Sequence, residues 1–279
     1  MILDGKKVAK SIEDALTTRI ESIKKANKRC PKLAVVLVGS NPASLSYVAS
    51  KEKACLRVGI QSLVIRLEED AKYEEVLRNI HQLNEDSTVD GILIQLPLPK
   101  HLDAQSLIEH LDPSKDVDGL HPENVAKLYS QSKGFIPCTP KGIMSLLKYY
   151  DVPISGQNAV VIGRSQLVGR PIAQLLLNAN ASVTVCHSKT RDVSLYTKQA
   201  DLIVVAIGQA HYLNASHVDK KAYIIDVGIN RVENRLVGDC DTEALQEKCL
   251  GISPVPGGVG PLTIASLLEN TLEAYLLKE

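Results

Sequence analysis

Apolar positions along the chain follow two alternating patterns. Val8, Ile12, Leu16, Ile20 and Ile23 recur at steps of four and three, which places them on one face of a helix. Leu33 to Val38 (LAVVLV) is a continuous apolar run of strand length, and Leu63–Ile65 and Gly91–Gln95 read the same way. Helical patterns across Tyr47–Val58 and Glu74–Leu83 separate these runs. Strands apolar throughout are covered on both faces, and strands that alternate with helices form a parallel sheet. The stretch Ser130–Pro140 (SQSKGFIPCTP) reads as a connection. The alternation then restarts, with strands at Ala159–Ile162, Ser182–Val185, Leu202–Ala206 and Tyr223–Asp226 and a last helix over Leu262–Leu277. The pattern predicts two α/β units with a boundary near 120–140, as expected for 279 residues at about 150 per domain.

Composition narrows the function classes. Lys+Arg and Asp+Glu are equal at 32 each, which argues against nucleic acid or an anionic membrane as the main partner but leaves room for a local basic pocket. No apolar run approaches the roughly 18 residues of a membrane span. Asp4 interrupts the N-terminus where a signal peptide needs an apolar core, so no export is expected and the cytoplasm is the expected compartment. No two of the six cysteines lie closer than nine positions, and no His-x-x-x-His occurs. That spacing predicts no metal site and reduced, mostly buried thiols. Trp is absent and Phe occurs once, so platforms for stacking single-stranded nucleic acid are scarce.

Asn158–Asn180 (NAVVIGRSQLVGRPIAQLLLNAN) reads as a strand ending in Gly163, a short turn, and an amphipathic helix from about Val168. Gly163 permits a tight turn, Gly169 permits close approach of helix and strand, and free N–H groups at the helix start can hold a phosphate. The spacing departs from G-x-G-x-x-G, Arg164 stands where a small residue is usual, and any βα turn of a doubly wound sheet fits equally well. The next strand decides. NAD sites place an acid about 20 residues past the glycine turn, on the ribose hydroxyls. Here the strand end reads His187-Ser188-Lys189-Thr190-Arg191, with hydroxyls and cations and no acid. That end, with Arg164, suits a 2′-phosphate and favours NADP over NAD.

Tyr47 and Lys51 are four apart, on one helix face, where a phenol and an ammonium can orient a substrate and move protons. An isolated pair of this kind also fits a surface contact. Gln95 ends an apolar strand before Leu96-Pro-Leu-Pro, and strand C-termini of parallel sheets are where ligands bind. In Lys115-Asp-Val-Asp118-Gly, Asp118 can accept two parallel hydrogen bonds from an amino-heterocycle, or serve as a turn residue. Near the C-terminus, Ser253-Pro-Val-Pro256-Gly257-Gly258-Val259-Gly260-Pro261 forces a rigid loop with exposed backbone groups, suited to a flat ligand.

Together these segments closely resemble the bifunctional methylenetetrahydrofolate dehydrogenase / methenyltetrahydrofolate cyclohydrolase family. The likeness runs through Tyr47–Lys51, Gln95–Leu98, Lys115–Leu120, Pro137–Pro140, Val161–Ser165 with Val168–Pro171, Cys186–Thr190, Asp226–Asn230 and Pro256–Pro261, and so covers essentially the whole chain. It implies two α/β domains with an inter-domain cleft: a catalytic, folate-binding domain over 1–138, on which the C-terminal helix 262–279 packs back, and a Rossmann-like NADP-binding domain over 139–261. It implies Tyr47, Lys51, Gln95 and Asp118 as the catalytic and substrate set, with Leu96 and the loop Pro256, Gly257, Gly258, Val259 and Gly260 as further folate contacts. Gly163, Arg164, Ser165, Ser188 and Ile229 are implied NADP contacts, with no metal. A cytoplasmic homodimer serving one-carbon metabolism, and through it purine and amino-acid biosynthesis, follows from the same likeness.

The implied chemistry suits these residues. The carbon oxidised in 5,10-methylenetetrahydrofolate lies between two nitrogens that stabilise the cation left by hydride loss, so positioning matters more than a base. Hydration of the resulting methenyl group needs proton transfers, which Lys51 can supply if burial lowers its pKa. Gln95 is then expected to hold Lys51 and Tyr47 to pack on a substrate ring. A shikimate-type NADP dehydrogenase shares the architecture but leaves the Pro256–Pro261 loop unexplained. A non-catalytic NADP sensor has no use for Tyr47, Lys51 and Asp118 together.

Overall fold

The computed structural model describes residues 1–219, 221–233 and 235–278. In chain order the elements are α1 (Gly5–Lys25), β1 (Lys32–Val38), α2 (Pro42–Val58), β2 (Gln61–Leu67), α3 (Tyr73–Glu85), β3 (Gly91–Ile94), α4 (Ala104–Ile108), α5 (Pro122–Ser130) and α6 (Cys138–Tyr149). There follow β4 (Asn158–Ile162), α7 (Gly169–Asn178), β5 (Ser182–Cys186), α8 (Ser194–Thr197), β6 (Leu202–Val205) and β7 (Ala222–Asp226). The chain closes with β8 (Asn230–Val232), β9 (Arg235–Val237), α9 (Thr242–Leu245), β10 (Cys249–Ile252) and α10 (Val259–Leu276). It divides into two compact units, one of residues 10–138 and 264–279, the other of residues 1–9 and 139–263. Residues 1–9 join the second unit because Leu3 N–H donates to Ile252 O at 2.9 Å and the N-terminal amine to Leu250 O at 3.0 Å.

The first unit holds a three-stranded parallel sheet in the order β2-β1-β3. Its central strand is apolar throughout because both faces are covered. Leu33, Val35 and Leu37 pack with Leu16, Ile20, Leu267 and Leu272 on one side. Ala34, Val36 and Val38 pack with Val76, Ile80 and Leu107 on the other. The strand order reverses between β1 and β3, so the crevice between neighbouring strand ends opens beside Gln95, whose N–H donates to Val36 O at 2.9 Å. The helix α2 leaves this edge under firm control. Asn41 caps it, its Oδ1 accepting from Ala43 and Ser44 N–H at 3.0 and 3.2 Å, Pro42 fills a first-turn position that needs no N–H, and Gly59 closes it at φ +87°.

The second unit holds a five-stranded parallel sheet in the order β10-β7-β6-β4-β5. Val160, Ile162, Ile203, Val205 and Ile224 build its core with Leu213, Val218 and Leu245. Here the order reverses between β4 and β6, so the crevice opens between Gly163 and Ala206. Several boundaries differ from the sequence reading: α2 begins at Pro42, five residues before Tyr47, and β2 extends two residues beyond Leu63–Ile65 at each end. The helix α6 begins at Cys138, inside the stretch read as a connection, and α10 begins three residues before Leu262. In both, a proline (Pro140, Pro261) sits in the first turn, where its missing N–H costs nothing. The β8–β9 hairpin, β10, α4, α5, α8 and α9 carry no sequence expectation, being short or lacking a clear period.

Candidate active site

The first constellation sits at the crevice of the three-stranded sheet. Ser44, Tyr47, Lys51 and Cys55 recur at steps of three and four along α2, so they form one stripe. Lys51 Nζ donates to Gln95 Oε1 at 2.8 Å, and Gln95 Nε2 donates to Leu96 O at 2.6 Å. The amide is thereby fixed at both ends, oxygen toward the lysine. Lys51 is half-buried, and burial of its ammonium pulls its pKa below the usual lysine range, while the nearby Asp118 carboxylate pushes it back up. Cys55, one turn further along α2, is pushed up to about 12 by burial and stays a neutral thiol. Tyr47 is 45% exposed and presents its ring to solvent. Ser44, which the sequence reading passes over, is buried, and its Oγ has no hydrogen-bond partner among the described residues. Its signal was its place on the stripe, three residues before Tyr47.

The segment Lys115–Leu120 divides its labour. The buried Lys115 ammonium donates to Leu83 O, Asn84 O and Asp86 O at 2.9, 2.6 and 2.8 Å, closing the C-terminal end of α3. Asp116, also buried, accepts from His121 N–H at 2.8 Å and Asn124 Nδ2 at 2.9 Å. Burial pushes its carboxyl pKa up, against those hydrogen bonds. These two anchor the loop and leave Asp118 half-buried with an unoccupied carboxylate: it accepts no hydrogen bond among the described residues. Gly119 is at φ +72°, and a Cβ there would sit 2.6 Å from Pro137 N, so the turn beside Asp118 requires glycine.

The second constellation sits at the crevice of the five-stranded sheet. Gly163, Arg164, His187, Ser188, Ala206 and Tyr212 line a concavity of about 360 Å³. Gly163 has φ +127°, and a Cβ there would collide with Ala206 O; a Cβ on Gly169 would collide with Gly163 O. The two glycines let a strand end and a helix start meet, leaving a cradle walled by backbone. Arg164 and Ser188, which line it, are exposed; Lys189 and Arg191, in the turn that follows β5, are exposed as well but lie outside that lining. The strand-end turn is braced by His187 N–H donating to Thr190 Oγ1 at 2.9 Å and Lys189 N–H to His187 Nδ1 at 3.1 Å. Ser165 lies outside that lining; its Oγ accepts from Val168 and Gly169 N–H, both at 3.3 Å, and so serves α7.

Ile229 does not join this concavity. It lines a second one, of about 190 Å³, together with Pro256, Gly257, Gly258, Val259 and Gly260. The proline-glycine loop is seated on the start of α1: Lys6 N–H donates to Gly257 O at 3.1 Å, and Gly5 leaves no room for a Cβ against Gly258 O. Both Leu96–Pro97 and Val255–Pro256 are cis peptides. Five of the six cysteines are buried and Cys30 is half-buried, all as free thiols. No group of His, Cys, Asp and Glu able to hold a metal occurs among the described residues, and none of their helices is long and apolar enough to cross a membrane.

Comparison with known proteins places this arrangement. Residues 3–118 match the catalytic domain, and residues 137–279 the NAD(P)-binding domain, of tetrahydrofolate dehydrogenase/cyclohydrolase. The bifunctional protein FolD of Campylobacter fetus is 52% identical over 274 residues, spanning 98% of this chain and 96% of that one. The bifunctional methylenetetrahydrofolate dehydrogenase/cyclohydrolase of Campylobacter jejuni is 49% identical and superposes with a TM-score of 0.98 over 100% of this chain and 99% of its own. The Trypanosoma brucei enzyme, solved with NADP and an inhibitor, is 34% identical with a TM-score of 0.96 over 100% and 98%. A shikimate 5-dehydrogenase from Thermus thermophilus, at 17% identity and a TM-score of 0.52, shares the fold alone. The chain belongs to the tetrahydrofolate dehydrogenase/cyclohydrolase family, a family of NAD(P)-dependent enzymes.

Proposed function

We propose that this chain oxidises 5,10-methylenetetrahydrofolate to 5,10-methenyltetrahydrofolate with NADP and then hydrolyses the product to 10-formyltetrahydrofolate. The observation that carries the reading is the Lys51–Gln95 hydrogen bond beside Asp118: a desolvated amine, oriented by an amide, next to a carboxylate with open acceptors. The residues around Gly163 fit a dinucleotide. Where Gly163 meets Gly169 and Ala206 the backbone lies bare of side chains, and Arg164 and Ser188 offer a cation and a hydroxyl to a 2′-phosphate. Bound NADP supplies the hydride acceptor.

In the first reaction Asp118 holds the amino-heterocycle through two parallel hydrogen bonds, and Tyr47 packs on a ring of the substrate. Hydride leaves with the electron pair of the C–H bond and the flanking nitrogens carry the charge, so no side chain needs to take a proton. In the second reaction water adds to the methenyl carbon. The neutral Lys51 amine takes one proton from that water, and the ammonium so formed protonates the ring nitrogen that leaves as the carbon–nitrogen bond breaks; the remaining hydroxyl proton passes to solvent as the formyl C=O forms. Gln95 keeps Nζ directed at the reacting carbon throughout. Leu96 and the Pro256–Gly260 loop contribute further folate contacts, and Ser165 and Ile229 further NADP contacts. The functional domain limits follow the same reading, 1–138 with 262–279 for folate and 139–261 for NADP, although residues 1–9 pack with the second compact unit. A cytoplasmic homodimer supplying one-carbon units to purine and amino-acid biosynthesis completes it.

One absorbance assay tests the proposal: NADPH formation with methylenetetrahydrofolate, followed by decay of the methenyl chromophore. No NADPH formation by folded protein removes the first activity, and a stable methenyl signal removes the second.

A further inference from the structure

Two aspartates in the second unit, Asp226 and Asp239, are both fully buried and are held by N–H groups rather than by a cation. Asp226 ends β7 and accepts from Gly228, Asp239 and Cys240 N–H at 3.1, 2.9 and 2.9 Å. Asp239 follows β9. Its Oδ2 accepts from Ile207 and Gly208 N–H at 2.7 and 3.0 Å, and its Oδ1 from Gln209 N–H at 2.8 Å and Asn230 Nδ2 at 2.9 Å. A buried charge without a cation is costly unless hydrogen bonds satisfy it, and four converging donors do so here. Three of them are consecutive backbone N–H groups, a nest that gathers around one anion.

The position of Asp239 explains what that arrangement achieves. Ile207 and Gln209 line the concavity that also contains Gly163, Arg164 and Ser188. Gly228 and Ile229 line the concavity that contains Pro256–Gly260. Gly228 has no Cβ because the Asp239 carboxylate occupies that space. One carboxylate therefore sets the turn after β6 and, through Asn230 and its packing on Gly228, the loop after β7. We infer that Asp239 is a positioning residue for the dinucleotide: it fixes the turn after β6, which walls the Gly163 concavity, in register with the loop after β7 that carries Ile229, without touching the cofactor itself. The inference rests on the reading of the Gly163 concavity as the NADP site.

The test separates cofactor positioning from folding. Asp239→Ala removes all four acceptor contacts. Asp239→Asn keeps the shape but turns an amide N–H₂ toward one pair of donors, and Asn230→Ala removes one donor. The KM for NADP is expected to rise by at least about tenfold in Asp239→Ala, the scale of one or two lost hydrogen bonds to a charged acceptor, less in Asp239→Asn and least in Asn230→Ala. Cyclohydrolase kcat, assayed on methenyltetrahydrofolate without NADP, is expected to stay within about twofold, general acid–base help from Lys51 being untouched. Rescue in Asp239→Ala by raised NADP concentration belongs to the expected result. An unchanged KM for NADP in Asp239→Ala, or dehydrogenase and cyclohydrolase falling in step across the three variants, overturns the inference. A wild-type chain that forms no NADPH refutes the cofactor reading instead.

Discussion

The two constellations occupy equivalent places, each at the reversal of strand order in a parallel sheet, yet they are built from different materials. Beside β3 the work falls to side chains: Lys51 and Gln95 are locked by a 2.8 Å hydrogen bond, and burial pulls the lysine's pKa below its usual range. Beside β4 it falls to backbone: Gly163 and Gly169 clear a cradle, and the cation Arg164 stands exposed at its lining. A reacting group needs a tuned pKa, which only desolvation and chosen neighbours supply. A charged, flexible ligand needs aligned N–H groups and cations that remain hydrated until it arrives. Variants of the first constellation should therefore change rates and pH profiles, and variants of the second should change cofactor affinity.

The largest expected effect breaks the first half of that contrast. Lys51→Met keeps the aliphatic stem and removes the amine, so cyclohydrolase activity should fall by roughly 10²–10⁴-fold, the usual worth of general acid–base help. Dehydrogenase activity should fall less, and methenyltetrahydrofolate should accumulate in a coupled assay. Survival of cyclohydrolase with collapse of the dehydrogenase would assign Lys51 to positioning and the proton to another group.

Next in size comes the second half. Arg164→Ala should weaken NADP by about 1.5–3 kcal/mol, one charge-assisted contact to a phosphate, and NAD far less. Isothermal titration with both dinucleotides measures the difference. Equal losses would mean that Arg164 does not read the 2′-phosphate.

The contrast also explains what was legible in the sequence. Lys51, Gln95 and Asp118 stood out because each is a polar side chain at an unusual place: a helix stripe, a strand end, an Asp-Gly turn. The strands β1, β3 and β6 were legible because burial on both faces demands unbroken apolar runs. Asp226 and Asp239 were not legible as a pair. Their partners are mostly backbone N–H groups, which every residue has, and three of the four Asp239 donors lie 30 to 32 positions away, at 207–209. Nor was the structural share of Lys115, whose ammonium serves three carbonyls of α3 and its exit, since a lysine beside two aspartates reads as surface charge. The placement of Ile229 beside the proline-glycine loop, apart from Arg164, depends on where β7 ends, and no local pattern encodes that.

A smaller effect shows as a displaced curve. Burial lowers the Lys51 pKa and the Asp118 charge raises it, so the two oppose. If the neutral amine is the base, cyclohydrolase kcat rises with pH through the Lys51 pKa. Replacing the charge in Asp118→Asn removes the largest effect that opposes burial, and the rising limb should move to lower pH. Measured at saturating substrate, the profile is insulated from any loss of pterin affinity. A limb that stays in place, or moves to higher pH, would show that Lys51 does not sense Asp118.

The smallest effect compares the two helix starts. Asn41 caps α2, which carries Tyr47 and Lys51, through bonds of 3.0 and 3.2 Å; Ser165 serves the start of α7 through two bonds of 3.3 Å. Losing a cap typically costs about 1 kcal/mol, and the longer Ser165 bonds should yield less. Asn41→Ala should therefore lower stability more than Ser165→Ala, by thermal melting under one set of conditions. The functional signatures should also part. Fraying the first turn of α2 disturbs the stripe that presents Lys51, so Asn41→Ala should lower cyclohydrolase kcat a few-fold and leave the KM for NADP alone. Ser165→Ala should raise the KM for NADP and leave cyclohydrolase unchanged, because the N–H groups it frees open α7 where Gly169 packs on Gly163, and Lys51 belongs to the other unit. If both variants lowered both activities in the ratio of their stabilities, the helix starts would matter for folding alone, and the division between a site made of side chains and a site made of backbone would not reach down to their supports.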